Sequence, residues 1–249
     1  MKQKIFFQNQ CDVEKTISAT CKIINICRKH NIQTWLSWGA LLGIIREKRL
    51  LPWNNDVELM VIADENYEKK IQKLAREISK DYFHCTYYKD ISALSIRSIS
   101  NDVNININFS MIYKDNIIRP HETADGNIKG TPLIAKIFWL ISVMINSRGY
   151  YSLKNLIRFS LKYKIKYLSL NLINLLPELG KIFISRNLHN LSKRYGGESY
   201  ATVLPKNLIL PLKEIKFYET KIFIPNKPEE FLSYIYGEEW RIPKENWSF

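Results

Sequence analysis

Trp38-Gly39-Ala40-Leu41-Leu42-Gly43-Ile44-Ile45-Arg46, followed by Leu51-Pro52-Trp53-Asn54-Asn55-Asp56-Val57-Glu58, is the stretch on which the fold turns. The run Ile32 to Trp38 alternates and carries Trp35 and Trp38, so it reads as a strand that Gly39 breaks. A short helix from Ala40 to about Glu47 follows. Asp56 to Ile62 is a second strand, with Val57, Leu59 and Val61 on one face and Asp56 and Glu58 on the other. Acids two residues apart on a strand point the same way, so Asp56 and Glu58 present adjacent carboxylates. The strand-to-helix turn at Gly39-Ala40 precedes them, and a helix N-terminus offers free N–H donors and a positive dipole end. Together these parts suit a divalent metal held beside a phosphate, where the metal neutralises charge on a transferred phosphoryl group. An isolated D-x-E pair is more often a solvated strand face, so the length of the surrounding pattern carries the weight.

Upstream, Val13, Ile17, Cys21, Ile24 and Cys27 recur at steps of four and three, which predicts an amphipathic helix over 12–30 with Asp12 as its cap. Downstream, Tyr67, Ile71, Leu74 and Ile78 predict a helix over 66–80, and three strands follow at 82–88, 91–99 and 103–112. In the last of these Val103, Ile105, Ile107, Phe109 and Met111 share a face, and Asn104, Asn106, Asn108 and Ser110 share the other. Lys114-Asp115-Asn116 reads as its turn. Residues 132–195 read as helical, with Gly149 and Pro177-Glu178-Leu179-Gly180 as interruptions. Strands at 215–217 and 221–224 and a helix near 229–236 close the chain.

The chain has 249 residues, 46% of them hydrophobic and 24% charged, a composition that builds a core and excludes disorder. The longest apolar run, Leu133 to Ile145, includes Lys136 and is too short to span a bilayer. Lys2 and Lys4 precede only Ile5-Phe6-Phe7, well short of a secretory leader, so the expected location is cytoplasmic. Cys11, Cys21, Cys27 and Cys85 show no metal or disulfide spacing and read as reduced, mostly buried thiols. The net charge is +13, and no acidic residue occurs from Gly126 to Pro177, where Lys129, Lys136, Arg148, Lys154, Arg158, Lys162, Lys164 and Lys166 all fall. That segment favours anionic surfaces or reads as a solvated basic insert. No nucleic-acid motif accompanies the charge, and no nucleic-acid partner is expected.

The two central segments closely resemble the signature of the LicD/fukutin family, approximately G-[TS]-L-L-G-x-x-R and then [IL]-P-W-D-D-D-[IV]-D. Ile26 to Ile32 is similar to that family's lead-in. Ile222-Phe223-Ile224-Pro225, Phe231-Leu232 and Tyr236 to Pro243 resemble its closing segment. The resemblance is strong over about 20–62, moderate over 63–118 and 200–243, and poor between. It implies an α+β, nucleotidyltransferase-like mixed sheet flanked by helices. The corresponding division is a core over 1–125, a basic and mostly helical region over 126–200, and a C-terminal αβ segment over 201–249 that packs back on the core. It also implies transfer of a phospho-alcohol, such as phosphocholine or ribitol phosphate, from a CDP-activated donor to a hydroxyl of a cell-surface or lipid-linked glycan, with Mg²⁺ or Mn²⁺. Lipopolysaccharide or capsule biosynthesis is the implied setting. Carried over by position, Gly39, the backbone at Ala40 and Arg46 bind donor phosphate, Asp56 and Glu58 are catalytic, and Asp56, Glu58, Asn54 and Asn108 hold metal. The basic segment 126–177, with Trp139, Tyr150 and Tyr151, would meet an anionic inner membrane face.

Four departures fall inside this signature: Asn54 and Asn55 replace acids, Glu58 replaces the final Asp, and Ala40 replaces Thr or Ser. The fold's third carboxylate, from a later strand, corresponds to Asn106 or Asn108, with Asn108 favoured by its spacing to Tyr113-Lys114-Asp115-Asn116. An amide oxygen coordinates a hard cation but brings no charge, so metal binding is weakened. The sequence therefore supports a transferase or a catalytically degenerate relative that binds donor or glycan without turnover. Trp53 either stacks on a base or packs beneath the acidic strand.

Overall fold

The computed structural model describes residues 10–52, 54, 56–100, 102–122, 132–152, 159, 161–196 and 199–243. Trp53 and Asn55 of the central motif, and the expected boundary between 123 and 131, lie outside them. The strands are β1 (Trp35–Leu36), β2 (Val57–Ile62), β3 (Phe83–Tyr88), β4 (Ala93–Ser98), β5 (Asn104–Tyr113), β6 (Asn116–Glu122), β7 (Ser147–Tyr150), β8 (Ser199–Pro205), β9 (Lys213–Phe217) and β10 (Thr220–Ile224). They form one mixed sheet in the order β7-β3-β4-β5-β2-β1-β10-β9, while β6 pairs with β5 and with β8. Strands β2 and β5 run parallel, as do β1 and β10, and the other described pairs are antiparallel. The helices are α1 (Gln10–Lys29), α2 (Trp38–Glu47), α3 (Tyr67–Ile78), α4 (Leu133–Ile145), α5 (Leu161–Asn174), α6 (Glu178–Arg194), α7 (Lys206–Ile209) and α8 (Pro228–Tyr236). The α+β architecture of a mixed sheet flanked by helices is the one the sequence predicts.

Alternation decides which face of the central strands is dry. Val57, Leu59, Ile105 and Ile107 are almost fully buried and join one core with Ile23, Ile24 and Cys27 of α1 and Ile71, Leu74 and Ile78 of α3. Each such side chain contributes about 1.5–3 kcal/mol, so a one-residue slip of β2 would turn both acids into this apolar core and take Val57, Leu59 and Val61 out of it. The parallel register pairs Glu58 with Asn106 and Met60 with Asn108, which brings the polar residues of β2 and β5 onto one face.

Several local expectations change. Helix α1 already includes Gln10, so Asp12 lies inside it rather than capping it. Strand β1 is two residues long because positive φ at Asn31 and Trp38 bends the chain on either side, yet it pairs with both β2 and β10. Met111 leaves the buried face of β5 and is 53% exposed, since the far end of that strand pairs with β6 alone. Gly149 does fall in an interruption of the helical region, but as part of a strand, β7, where a Cβ would come within 2.6 Å of the Tyr167 ring. Pro177 does separate two helices, α5 and α6. Cys21, Cys27 and Cys85 are free and buried, and Cys11 falls where side chains are not described.

Candidate active site

The acids and amides of the central strands meet in one ladder. Asn106 donates its Nδ2 to Asp56 Oδ2 at 2.9 Å, and Asn108 donates its Nδ2 to Glu58 Oε1 at 3.5 Å. Both candidates for the third carboxylate position therefore face a carboxylate, each through its amide nitrogen. Arg119 of β6 closes the ladder: it donates to Asn108 Oδ1 at 2.8 Å, and its guanidinium lies 3.7 Å from Glu58 Oε1 with the side chain 13% exposed.

Arg119 is a site residue that the motif reading missed. Its signal is a hairpin. The turn at Lys114-Asp115 pairs Asn116 with Tyr113, Ile117 with Ile112 and Ile118 with Met111, which carries Arg119 to the level of Ser110. From there a long side chain reaches back to Asn108.

The helix side of the site is built by the strained turn before Gly39. Ser37 N–H donates to the Glu58 carbonyl at 3.1 Å, tying the start of α2 to β2. Trp38 has φ of 50°, a left-handed conformation that non-glycine residues rarely adopt, and this turns the chain abruptly into α2. First-turn N–H groups of a helix have no partner inside it, and those of Gly39 and Ala40 belong to the first turn of α2. Asn54 packs over this end: a Cβ on Gly39 would lie 2.6 Å from Asn54 Nδ2, and that nitrogen donates to the Asp56 carbonyl at 2.9 Å.

The C-terminal segment supplies another wall. Arg46, at the end of α2, donates to the Trp240 carbonyl at 3.2 Å and pairs with Glu47 at 2.9 Å. Tyr236, the last residue of α8, is within electrostatic reach of Glu58, Asp56 and Arg46. Burial drives its phenol far above the ordinary value; the two acids push the same way and Arg46 opposes them.

Crowding of negative charge marks the acidic pair. Burial first, and then the neighbouring Asp56, raise the Glu58 carboxyl to about 7 against the opposing pull of Arg119 and Asn108. Burial also raises Asp56, against the hydrogen bond from Asn106 and the attraction of Arg97 and Arg119. Two hard anionic donors under this repulsion fit one divalent cation, which would relieve it. Among the described residues no group of three or more His, Cys, Asp or Glu side chains is placed to share an ion.

Comparison with known proteins agrees with this architecture in sequence. The LicD/FKTN/FKRP nucleotidyltransferase domain matches residues 31–130, the span from the loop before β1 to just past β6. No curated protein matches the chain. Among solved structures, ANT(2″)-Ia in complex with adenylyl-2″-tobramycin is 11% identical, with 71% of this chain and 98% of that one covered and a TM-score of 0.32. The STING-associated CdnE c-di-GMP synthase from Capnocytophaga granulosa is 14% identical, with 75% of this chain and 61% of that one covered and a TM-score of 0.32.

Proposed function

We propose that this chain, whose residues 31–130 match the LicD/FKTN/FKRP nucleotidyltransferase domain, moves a phospho-alcohol of the phosphocholine or ribitol phosphate kind from a CDP-activated donor to a hydroxyl of a cell-surface or lipid-linked glycan. One observation carries this reading. Asp56 and Glu58 share a face with a buried guanidinium, Arg119, close to the N-terminus of α2.

Each part has work to do in such a transfer. The α2 backbone at Gly39 and Ala40 receives donor phosphate oxygens, and Arg46 and Arg119 attract the same anion. Asp56 and Glu58 would hold Mg²⁺ or Mn²⁺, with the amide oxygens of Asn54 and Asn108 as neutral donors once the Asn108 amide turns its oxygen from Arg119 toward the acids. When bound, the ion neutralises charge gathering on the pyrophosphate as its bond breaks. The acceptor is a glycan or glycolipid at the inner membrane face, reached through peripheral contact of 126–177 with anionic lipid. No helix among the described residues is long and apolar enough to cross a membrane.

A second reading, recognition of donor or glycan without turnover, draws on a different observation. The amides of Asn106 and Asn108 turn their N–H groups, not their oxygens, toward the acids. A titration of CDP, CDP-choline and CDP-ribitol separates the two. The transferase reading expects binding that Mn²⁺ strengthens and that Asp56→Asn weakens at least about tenfold, a loss of about 1.4 kcal/mol. Binding that ignores both metal and Asp56 supports recognition alone. Absence of binding to all three overturns the CDP-donor reading.

A further inference from the structure

Three helices turn long apolar stripes outward. Helix α4 exposes Leu133, Ile134, Ile137, Leu140 and Ile141, a single stripe at helical spacing, and buries Ser142 beside Ala135, Val143 and Ile145. Helix α6 buries Lys181, Ser185 and Ser192 and exposes Leu179, Ile182 and Phe183, the first of them 82% exposed. These two helices pack against each other through polar groups. Ser142 Oγ lies 2.9 Å from Ser185 Oγ, Asn146 donates to Ser185 Oγ at 2.7 Å, and Ser192 donates to the Ala135 carbonyl at 2.9 Å. Helix α5 buries Tyr167 and Leu170 and still exposes Leu161, Ile165, Leu168 and Leu172, continued by Leu175, at alternating steps of four and three, with Leu161 73% and Leu172 67% exposed.

In water the opposite arrangement is favoured, with apolar stripes inward and serines outward. Small polar residues between helices and large apolar ones around them is the packing found where the surroundings are lipid. The exposed stripes also exceed what a water-facing surface ordinarily carries.

Charge selects the surroundings further. Over 132–196 there are 11 Lys and Arg residues and one acid, Glu178, which pairs with Arg148 and Lys181. A second copy would bring the same positive charge to a shared face, whereas an anionic bilayer complements it. The described helices of 13, 14 and 17 residues suit burial along the interface, with apolar side chains below the headgroups.

We propose that α4, α5 and α6 form a monotopic membrane-binding module whose apolar faces enter the headgroup–acyl boundary of an anionic bilayer. This deepens the peripheral contact in the proposed function and rests on that part of it. It replaces a purely electrostatic touch by 126–177 with hydrophobic insertion that extends through 178–194. The module is docked to the catalytic sheet at its β7–β3 edge: the Tyr167 hydroxyl meets His84 Nδ1 at 2.6 Å, and Lys166 donates to Thr86 and Tyr88 at 3.2 Å.

Flotation of the full chain with phosphatidylcholine vesicles, with and without phosphatidylglycerol, tests this. The comparison is with the triple variant Leu161→Ser, Leu168→Ser, Leu172→Ser. These side chains are exposed, so the variant keeps its fold, and an unchanged melting temperature verifies that. Insertion predicts binding to anionic vesicles that persists at high salt and falls at least about tenfold in the triple variant, since three buried leucines are lost. Binding that high salt abolishes and the triple variant retains overturns insertion and leaves electrostatic contact. Absence of vesicle binding, with a dimer that the triple variant dissociates, assigns the faces to a second copy and overturns both membrane readings. CDP titration of the triple variant keeps these outcomes separate from the transferase reading, because the substitutions lie outside the site.

Discussion

Gly39 is where the smallest change reaches the site, because a methyl group there would press on the Asn54 amide at 2.6 Å. Asn54 can rotate away, but only by giving up its bond to the Asp56 carbonyl. Gly39→Ala is expected to cost about 1 kcal/mol, the worth of one such hydrogen bond. Asn54→Ala in the same background should remove that cost, a non-additivity that thermal melts of the two single variants and the double variant will measure. Additive losses would mean that Asn54 does not constrain Gly39. Glu58 gives a second expectation, through pH. Its folded carboxyl is raised to about 7 from 4.5, so the protonated form belongs to the folded state. Stability is greatest below the ordinary value and falls as pH rises through about 7. With metal chelated, Glu58→Gln should leave the melting temperature nearly unchanged at pH 4.5 and raise it by several degrees at pH 8, from relief of up to about 3 kcal/mol. An equal shift at both pH values would refute the charge-burial account. These residues were only partly legible in advance. Asp56 and Glu58 follow from alternation on one strand, whereas Arg119 enters by a hairpin whose second strand carries no motif to advertise it.

At the scale of elements, β2, β5 and α3 were readable because their apolar periods are clean and their buried faces are continuous. Strands β6, β7 and β8 were not. Strand β7 is four residues long and lies between helices, and its strand character comes from pairing with β3, not from its own pattern. Gly149 makes that pairing compatible with α5, because the Tyr167 ring occupies the space a side chain would fill. Gly149→Ala is therefore expected to push α5 away from the sheet, at a cost of about 1–3 kcal/mol. Hydrogen exchange should show α5 amides losing protection while β2 and β5 keep theirs. Tyr167→Leu, which empties the contested space but removes the bond to His84, should restore part of the loss in the Gly149→Ala background. Uniform deprotection of the whole chain would instead make α5 an inseparable part of the core.

Across the whole molecule, the last strands are not an appendage. Strand β10 lies between β1 and β9, and Phe231, Leu232 and Trp240 are buried in the same core as Trp35 and Leu59. A chain ending at Pro205 would expose the parallel edge of β1 and lose the wall that holds Arg46 through the Trp240 carbonyl. It is expected to show no cooperative melt by circular dichroism, and a sharp transition would refute that dependence. The sequence by itself determined the α+β class, the acidic strand beside a strained glycine turn and the basic character of the middle third, because alternation, helical period and charge are local quantities read along the chain. Tertiary structure decided that Asn106 and Asn108 turn their amide nitrogens to the acids, that Arg119 and Tyr236 join them, and that α4, α5 and α6 face outward with their leucines. Each depends on which surfaces far apart in sequence compete for the same neighbours, and a one-dimensional pattern does not contain that competition.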